Sequence, residues 1–171
     1  MPRVAVTWPA RIVIVGVGNV MMQDDGIGVW AVRALVAAGL PPSVHPVEGG
    51  VRGLDWLAPV EGAERLLIID AVAAGRPPGT LIWLAPDRLP EPSGRRFSAH
   101  AFGLGEVLAF GRLLGRFPET RILGVQSGIA DRPGPSLTAP LRRALPAITM
   151  AVWAQLRAWH VAAAAGTGPD A

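Results

Sequence analysis

The amino-acid sequence predicts an α/β protein, a three-layer α/β/α sandwich around a mostly parallel sheet. Three observations carry this reading. Short apolar runs rich in β-branched residues recur along the chain, as strands buried on both faces require. Between them, apolar residues repeat at three- and four-residue steps, the period of a helix with one buried face. The two patterns alternate throughout, with no repeat and no clear linker, which is the order expected of parallel strands joined by crossover helices.

The elements follow in turn. Residues 1–10 read as an amino-terminal extension, residues 11–163 as a single α/β domain and residues 164–171 as a disordered tail. Arg11–Val17 is a buried strand. From Gly26 to about Ala38 the positions Ile27, Trp30, Ala31, Ala34, Leu35 and Ala38 share one helical face, ended by Gly39 and Pro41. Asp24 or Asp25 is placed to cap that helix. Ser43–Val47 is a weaker strand, followed by Glu48-Gly49-Gly50 and a short helix around Leu54–Ala58. Arg65–Asp70 is a second strong strand with its acid at the carboxyl end, and Gly79–Leu84 is a third after a Pro-Pro-Gly turn. Residues 85–99 read as a mobile loop, Phe102–Leu114 as a helix, Arg121–Val125 as a strand and Gln126–Ser136 as a Gly/Pro loop. Thr138 is placed to cap a last helix running to about Ala163, with a break expected near Pro146.

Composition removes several classes of function. Half the residues are apolar, so the chain can bury a core and bulk disorder is excluded. All 16 basic residues are arginine; without lysine there is no Schiff base and no P-loop. Without cysteine there is neither a thiol nucleophile nor a thiolate metal site. The net charge of +3 and the pairs Arg95–Arg96 and Arg142–Arg143 are too small to argue for nucleic acid. The apolar tail after Ala147 is interrupted by Gln155, Arg157 and His160, so no membrane span is expected. A cytoplasmic monomer is the expectation.

Ligands of doubly wound folds bind beyond the carboxyl ends of the strands. There Asp25 follows the first strand, Glu48 the second and Asp70 the third, so all three are candidates for one crevice. A dinucleotide fingerprint begins well at Gly16-Val17-Gly18 but has Met21 in place of its third glycine. Two aspartates before the helix would also repel phosphate. Gly-x-Ser-x-Gly is absent. Of the three histidines, His45 lies in a strand and His160 late in the last helix, whereas His100 stands between a loop and a helix. Asp25, Asp70 and His100 form a hard-to-borderline ligand set suited to nickel, zinc or manganese. Asp24 reads as a helix cap in preference to a general base.

Gly16 to Gly28 (GVGNVMMQDDGIG), Gly49–Gly50, Asp70–Ala71, His100, Leu123-Gly124-Val125-Gln126 and Ser136-Leu137-Thr138 together resemble the endopeptidases that mature nickel–iron hydrogenase large subunits. The likeness covers about residues 11–160. It implies a twisted five-stranded sheet and an endopeptidase that removes a carboxy-terminal extension from the large-subunit precursor after nickel insertion. It also implies that Asp25, Asp70 and His100 are the metal-binding and catalytic residues. The nickel they meet is carried by the substrate and is not a resident cofactor. Asp25 stands where glutamate is common in the family, and Val51 where threonine often follows the Gly-Gly turn. Two other readings remain open, a nucleotide-binding α/β module and a non-catalytic chaperone of the precursor.

Overall fold

The computed structural model describes residues 12–51, 57–86 and 118–159. Strand β1 (Ile12–Val17) is buried along its whole length, as an uninterrupted apolar run must be. It pairs in parallel with β2 (Val44–Gly50) on one side and β3 (Arg65–Val72) on the other. Beyond β3 the sheet continues with β5 (Glu119–Gln126), again parallel, and ends with β4 (Leu81–Leu84), which runs antiparallel to β5. The order β2-β1-β3-β5-β4 makes a mostly parallel five-stranded sheet.

Side chains on β1, β3 and β5 alternate between two apolar layers. On one face Ile12, Ile14, Leu67, Ile69, Leu123 and Val125 meet α1 (Ile27–Ala37) and α3 (Ala139–Ala158). On the other, Val13, Val15, Leu66, Ile68 and Ile122 pack with Val60 of the short α2 (Leu57–Val60). Helix α1 sits unusually close to the sheet. A Cβ on Gly28 would overlap the carbonyls of Ile69 and Val17, and one on Gly16 would overlap the Gly28 carbonyl.

Several boundaries differ from those the sequence suggests. β2 continues through Glu48-Gly49-Gly50 because it stays paired with β1; Gly50, at φ +55°, pairs with Val17 after a register shift. β2 also accommodates Pro46, which an edge strand tolerates. β3 runs two residues past Asp70, held by β5 as far as Val72 opposite Gln126. Helix α3 is continuous through Pro146, which faces solvent where the freed carbonyl can be hydrated. It closes at Ala158 with Trp159 as C-cap, short of Ala163. There Arg65 Nη1 donates to the Trp159 carbonyl, and Trp159 Nε1 donates to Glu119 Oε1 at 3.0 Å, tying the helix end to the far ends of β3 and β5. Residues 1–11, 52–56, 87–117 and 160–171 lie outside the described residues. The expected helix over Phe102–Leu114, most of the expected loop over 85–99, the amino-terminal extension and the tail fall there.

Replacing glycine by alanine inside a helix ordinarily stabilises by roughly 1 kcal/mol. Gly28→Ala reverses the sign, because its methyl group meets backbone on two strands. A loss of about 3 kcal/mol is expected from overpacking of this kind, measurable by urea unfolding. A stabilised variant would disprove the close approach.

Candidate active site

The turn after β1 is wound by its own backbone. Gly18 adopts φ +129°, and a Cβ there would overlap the Asp25 carbonyl, so only glycine lets the chain double back this tightly. The Gly18 amide donates to the Gly50 carbonyl at 3.0 Å, joining this turn to the end of β2. Asn19 Oδ1 accepts the Met21 amide at 2.9 Å, an Asx turn. The Asn19 amide in turn donates to Asp25 Oδ2 at 2.8 Å and orients that carboxylate.

Residues Gln23–Gly26 then form a 3-10 turn that leads directly into α1. At three residues per turn, neighbouring side chains diverge by about 120°. Asp24 and Asp25 therefore face different surroundings. Gly26 occupies the N-cap position of α1, so neither aspartate takes the capping role expected of it. Asp24 is fully buried against the loop between β5 and α3. Its Oδ2 accepts the amides of Gly128 and Ile129 and the Thr138 hydroxyl, each at 2.9 Å, while Oδ1 accepts the Thr138 amide at 2.7 Å. Thr138 holds the N-cap position of α3, but its hydroxyl is spent on Asp24 and makes no capping bond. Gln23, held at φ +47°, sits where this turn meets Gly134.

Asp70 projects from β3, opposite Gly124 of β5, and is buried with 1% of its surface exposed. Its Oδ1 accepts the amide of Ala71 at 2.8 Å. Burial first, then the charge of Asp25, push its pKa from an ordinary 3.8 up to about 8, with the Ala71 amide pulling weakly the other way. Burial and the neighbouring Asp25 thus favour the protonated form of Asp70. The chain leaves β1 for β2 on one side and returns to β3 on the other. The two carboxylates thus meet at the topological switch point, where sheets of this kind place their ligands.

The structure separates the remaining candidates. Glu48 lies within β2, and both its oxygens meet the Arg33 guanidinium of α1 at 3.1 and 2.8 Å, so it pairs along the helix and does not join the aspartates. His45 is half-buried in β2. His100 lies outside the described residues. Among the described residues no three His, Cys, Asp or Glu side chains gather closely enough to hold a metal ion. Of the three residues the sequence singles out, the structure brings Asp25 and Asp70 to one edge of the sheet. Gln126, singled out in the sequence only within the Leu123–Gln126 motif, belongs to the site's frame. Its Oε1 accepts the amides of Ala74 and Arg76, fixing the loop after β3 to the end of β5.

Comparison with known proteins decides the class. Residues 29–155 match the family described as hydrogenase maturation protease, a span that includes Asp70 and His100 and begins after Asp25. A Rhizobium leguminosarum protein named hydrogenase expression/formation protein HupD is 35% identical over 158 residues, covering 91% of this chain and 78% of its own. The chain belongs to the hydrogenase maturation protease family. It is a protease by that membership. The structure of the Escherichia coli hydrogenase maturating endopeptidase HybD has a TM-score of 0.74 at 30% identity, covering 87% of this chain and 93% of that one. A NiFe hydrogenase maturation protease HycI from Thermococcus kodakarensis shares the fold, with a TM-score of 0.71 at 20% identity over 86% of this chain and 93% of that one. No helix among the described residues is long and apolar enough to cross a membrane.

The raised pKa of Asp70 sets a pH dependence. Below about pH 4 the group is protonated in both folded and unfolded chains, and its burial costs no ionisation. Between about 4 and 8 folding takes up a proton, so stability falls as pH rises through that window and levels off beyond it. Asp70→Asn keeps the shape and cannot ionise. Thermal unfolding from pH 5 to 9 is expected to show the asparagine variant gaining on the unmodified protein as pH rises. Parallel curves would show that Asp70 is already ionised throughout.

Proposed function

We propose that this protease removes the carboxy-terminal extension of a nickel–iron hydrogenase large-subunit precursor after nickel insertion. In this reading Asp25, Asp70 and His100 contact the nickel that the precursor carries. The observation that carries it is the buried Asp25–Asp70 pair at the carboxyl edge of the sheet, in a chain of this family. Two carboxylates brought together without water are costly unless a proton or a cation neutralises one of them. Burial and the charge of Asp25 favour a proton on Asp70. A nickel-loaded precursor offers a divalent cation instead, and its capture releases that proton, because carboxylate ligands bind metal in the ionised form. The metal then serves as a recognition element that docks the scissile bond, so that cleavage waits for nickel insertion.

Cleavage itself needs a proton acceptor for the attacking water, whose oxygen adds to the scissile carbonyl before the C–N bond breaks and the amine leaves with a proton. Asp24 has both oxygens engaged by the loop after β5. That leaves Asp25, Asp70 and His100 as the groups for this role. The enzyme is proposed to act as a cytoplasmic monomer, where the precursor is assembled.

The test is cleavage of nickel-loaded and nickel-free precursor by the unmodified protein, Asp70→Asn and His100→Ala. Only the loaded precursor is expected to be cut, and each substitution is expected to lower kcat/KM by at least about 100-fold. Equal cleavage of both precursors would end the nickel reading. A stable complex with loaded precursor whose extension stays intact would make the chain a chaperone.

A further inference from the structure

Asp24, the first aspartate of the tandem pair, has no part in the chemistry above, yet its carboxylate accepts four hydrogen bonds beside the site. Its four acceptor contacts come from both ends of one loop: Gly128 and Ile129 just after β5, and Thr138 at the start of α3. The intervening residues carry two glycines and two prolines, Gly128, Pro133, Gly134 and Pro135, and have no helix or strand of their own. A connection of this length is expensive to order. One carboxylate gathers its two ends.

The same loop is stitched to the turn after β1 along its length. The Asp24 amide donates to the Ile129 carbonyl and the Gln23 amide to the Gly134 carbonyl, both at 3.0 Å, while the Gly134 amide donates to the Met21 carbonyl at 2.8 Å. A Cβ on Gly134 would press into the Gln23 side chain, so the two segments are packed as well as bonded. In the sheet, β3 lies between β1 and β5. The loop from β5 starts by bonding the end of β3, through the Ser127 amide and the Val72 carbonyl at 3.1 Å, and the 3-10 turn from β1 also rests against β3. The two loops flanking Asp70 are therefore fastened to one another through Asp24, and the residue following Asp24 in that fastened turn is Asp25.

We propose that Asp24 is a positioning residue of the protease. By clamping the β5–α3 loop to the 3-10 turn, it fixes Asp25 against Asp70 without touching substrate. This rests on the reading of Asp25 and Asp70 as the active site. The clamp has a demanding geometry: asparagine keeps one acceptor for Gly128 and Ile129 but sets an amide group against the Thr138 N–H, and alanine keeps no acceptor.

The experiment uses the full chain and nickel-loaded precursor. Asp24→Asn, Asp24→Ala and Thr138→Val are compared with the unmodified protein and Asp70→Asn, at a temperature where unfolding curves show each fully folded. The expected result is a fall in kcat of about 10- to 100-fold for Asp24→Asn, a larger fall for Asp24→Ala, and KM unchanged within about 3-fold. Thr138→Val, which removes one donor and leaves Asp24 in place, is expected to lower kcat by about 3-fold or more with KM unchanged. Amide hydrogen exchange at Gly128, Ile129 and Thr138 should quicken in the same order as kcat falls. A kcat at the unmodified level in folded Asp24→Asn or Asp24→Ala overturns the proposal. Should neither Asp24 variant fold, an unchanged kcat in Thr138→Val overturns it. Full activity in Asp70→Asn instead overturns the active-site reading itself, whatever Asp24 does.

Discussion

Helix α1 lies against β1 and β3 with backbone touching backbone, and most of the site follows from that contact. Gly16 and Gly28 remove the two Cβ atoms that would hold helix and strand apart. With the helix so close, the ten residues between Gly16 and Ile27 must fold the chain back on itself. Gly18 at positive φ and the Asx turn at Asn19 supply that reversal, and the 3-10 turn consumes what remains before α1 starts. Asp25 then stands near the end of β3 because the chain has nowhere else to run. A loosely packed helix would leave the same acid in solvent.

Three aspartates are buried at this edge, and their neighbours give them different tasks. Asp24 meets four donors and is fully satisfied as an acceptor. Asp25 is oriented by one amide of its own turn and faces Asp70. Asp70 has the amide of Ala71 and a dry strand environment, and there the balance tips toward holding a proton. Equal chemistry in sequence thus meets three different surroundings.

The far end of the domain is held by other means. Arg65, Glu119 and Trp159 link β3, β5 and the end of α3 through a carbonyl, an indole N–H and a partly exposed ion pair. That arrangement pins α3 at its carboxyl end, while Asp24 holds the residue that begins it. The long helix is therefore anchored at both ends, with Leu141, Ile148 and Val152 filling the space between.

Periodicity and apolar runs in the sequence determined the fold class, all five strands and the helices around Ile27 and Ala139, because burial on both faces leaves a pattern local enough to read. Asp25 and Asp70 were legible too, as acids placed where strands of such folds end. Tertiary structure alone decided which neighbour each acid meets. Asp24 reads locally as a helix cap, but its partners Gly128, Ile129 and Thr138 lie more than 100 residues away. Glu48 sits at the right place in sequence for the crevice and is drawn away by Arg33 across the α1–β2 contact. β2 and β3 run past their apparent ends because hydrogen-bond pairing with neighbouring strands continues there. A sequence records which groups need water or a partner; which partner each one gets depends on segments distant in the chain that only the folded sheet brings together.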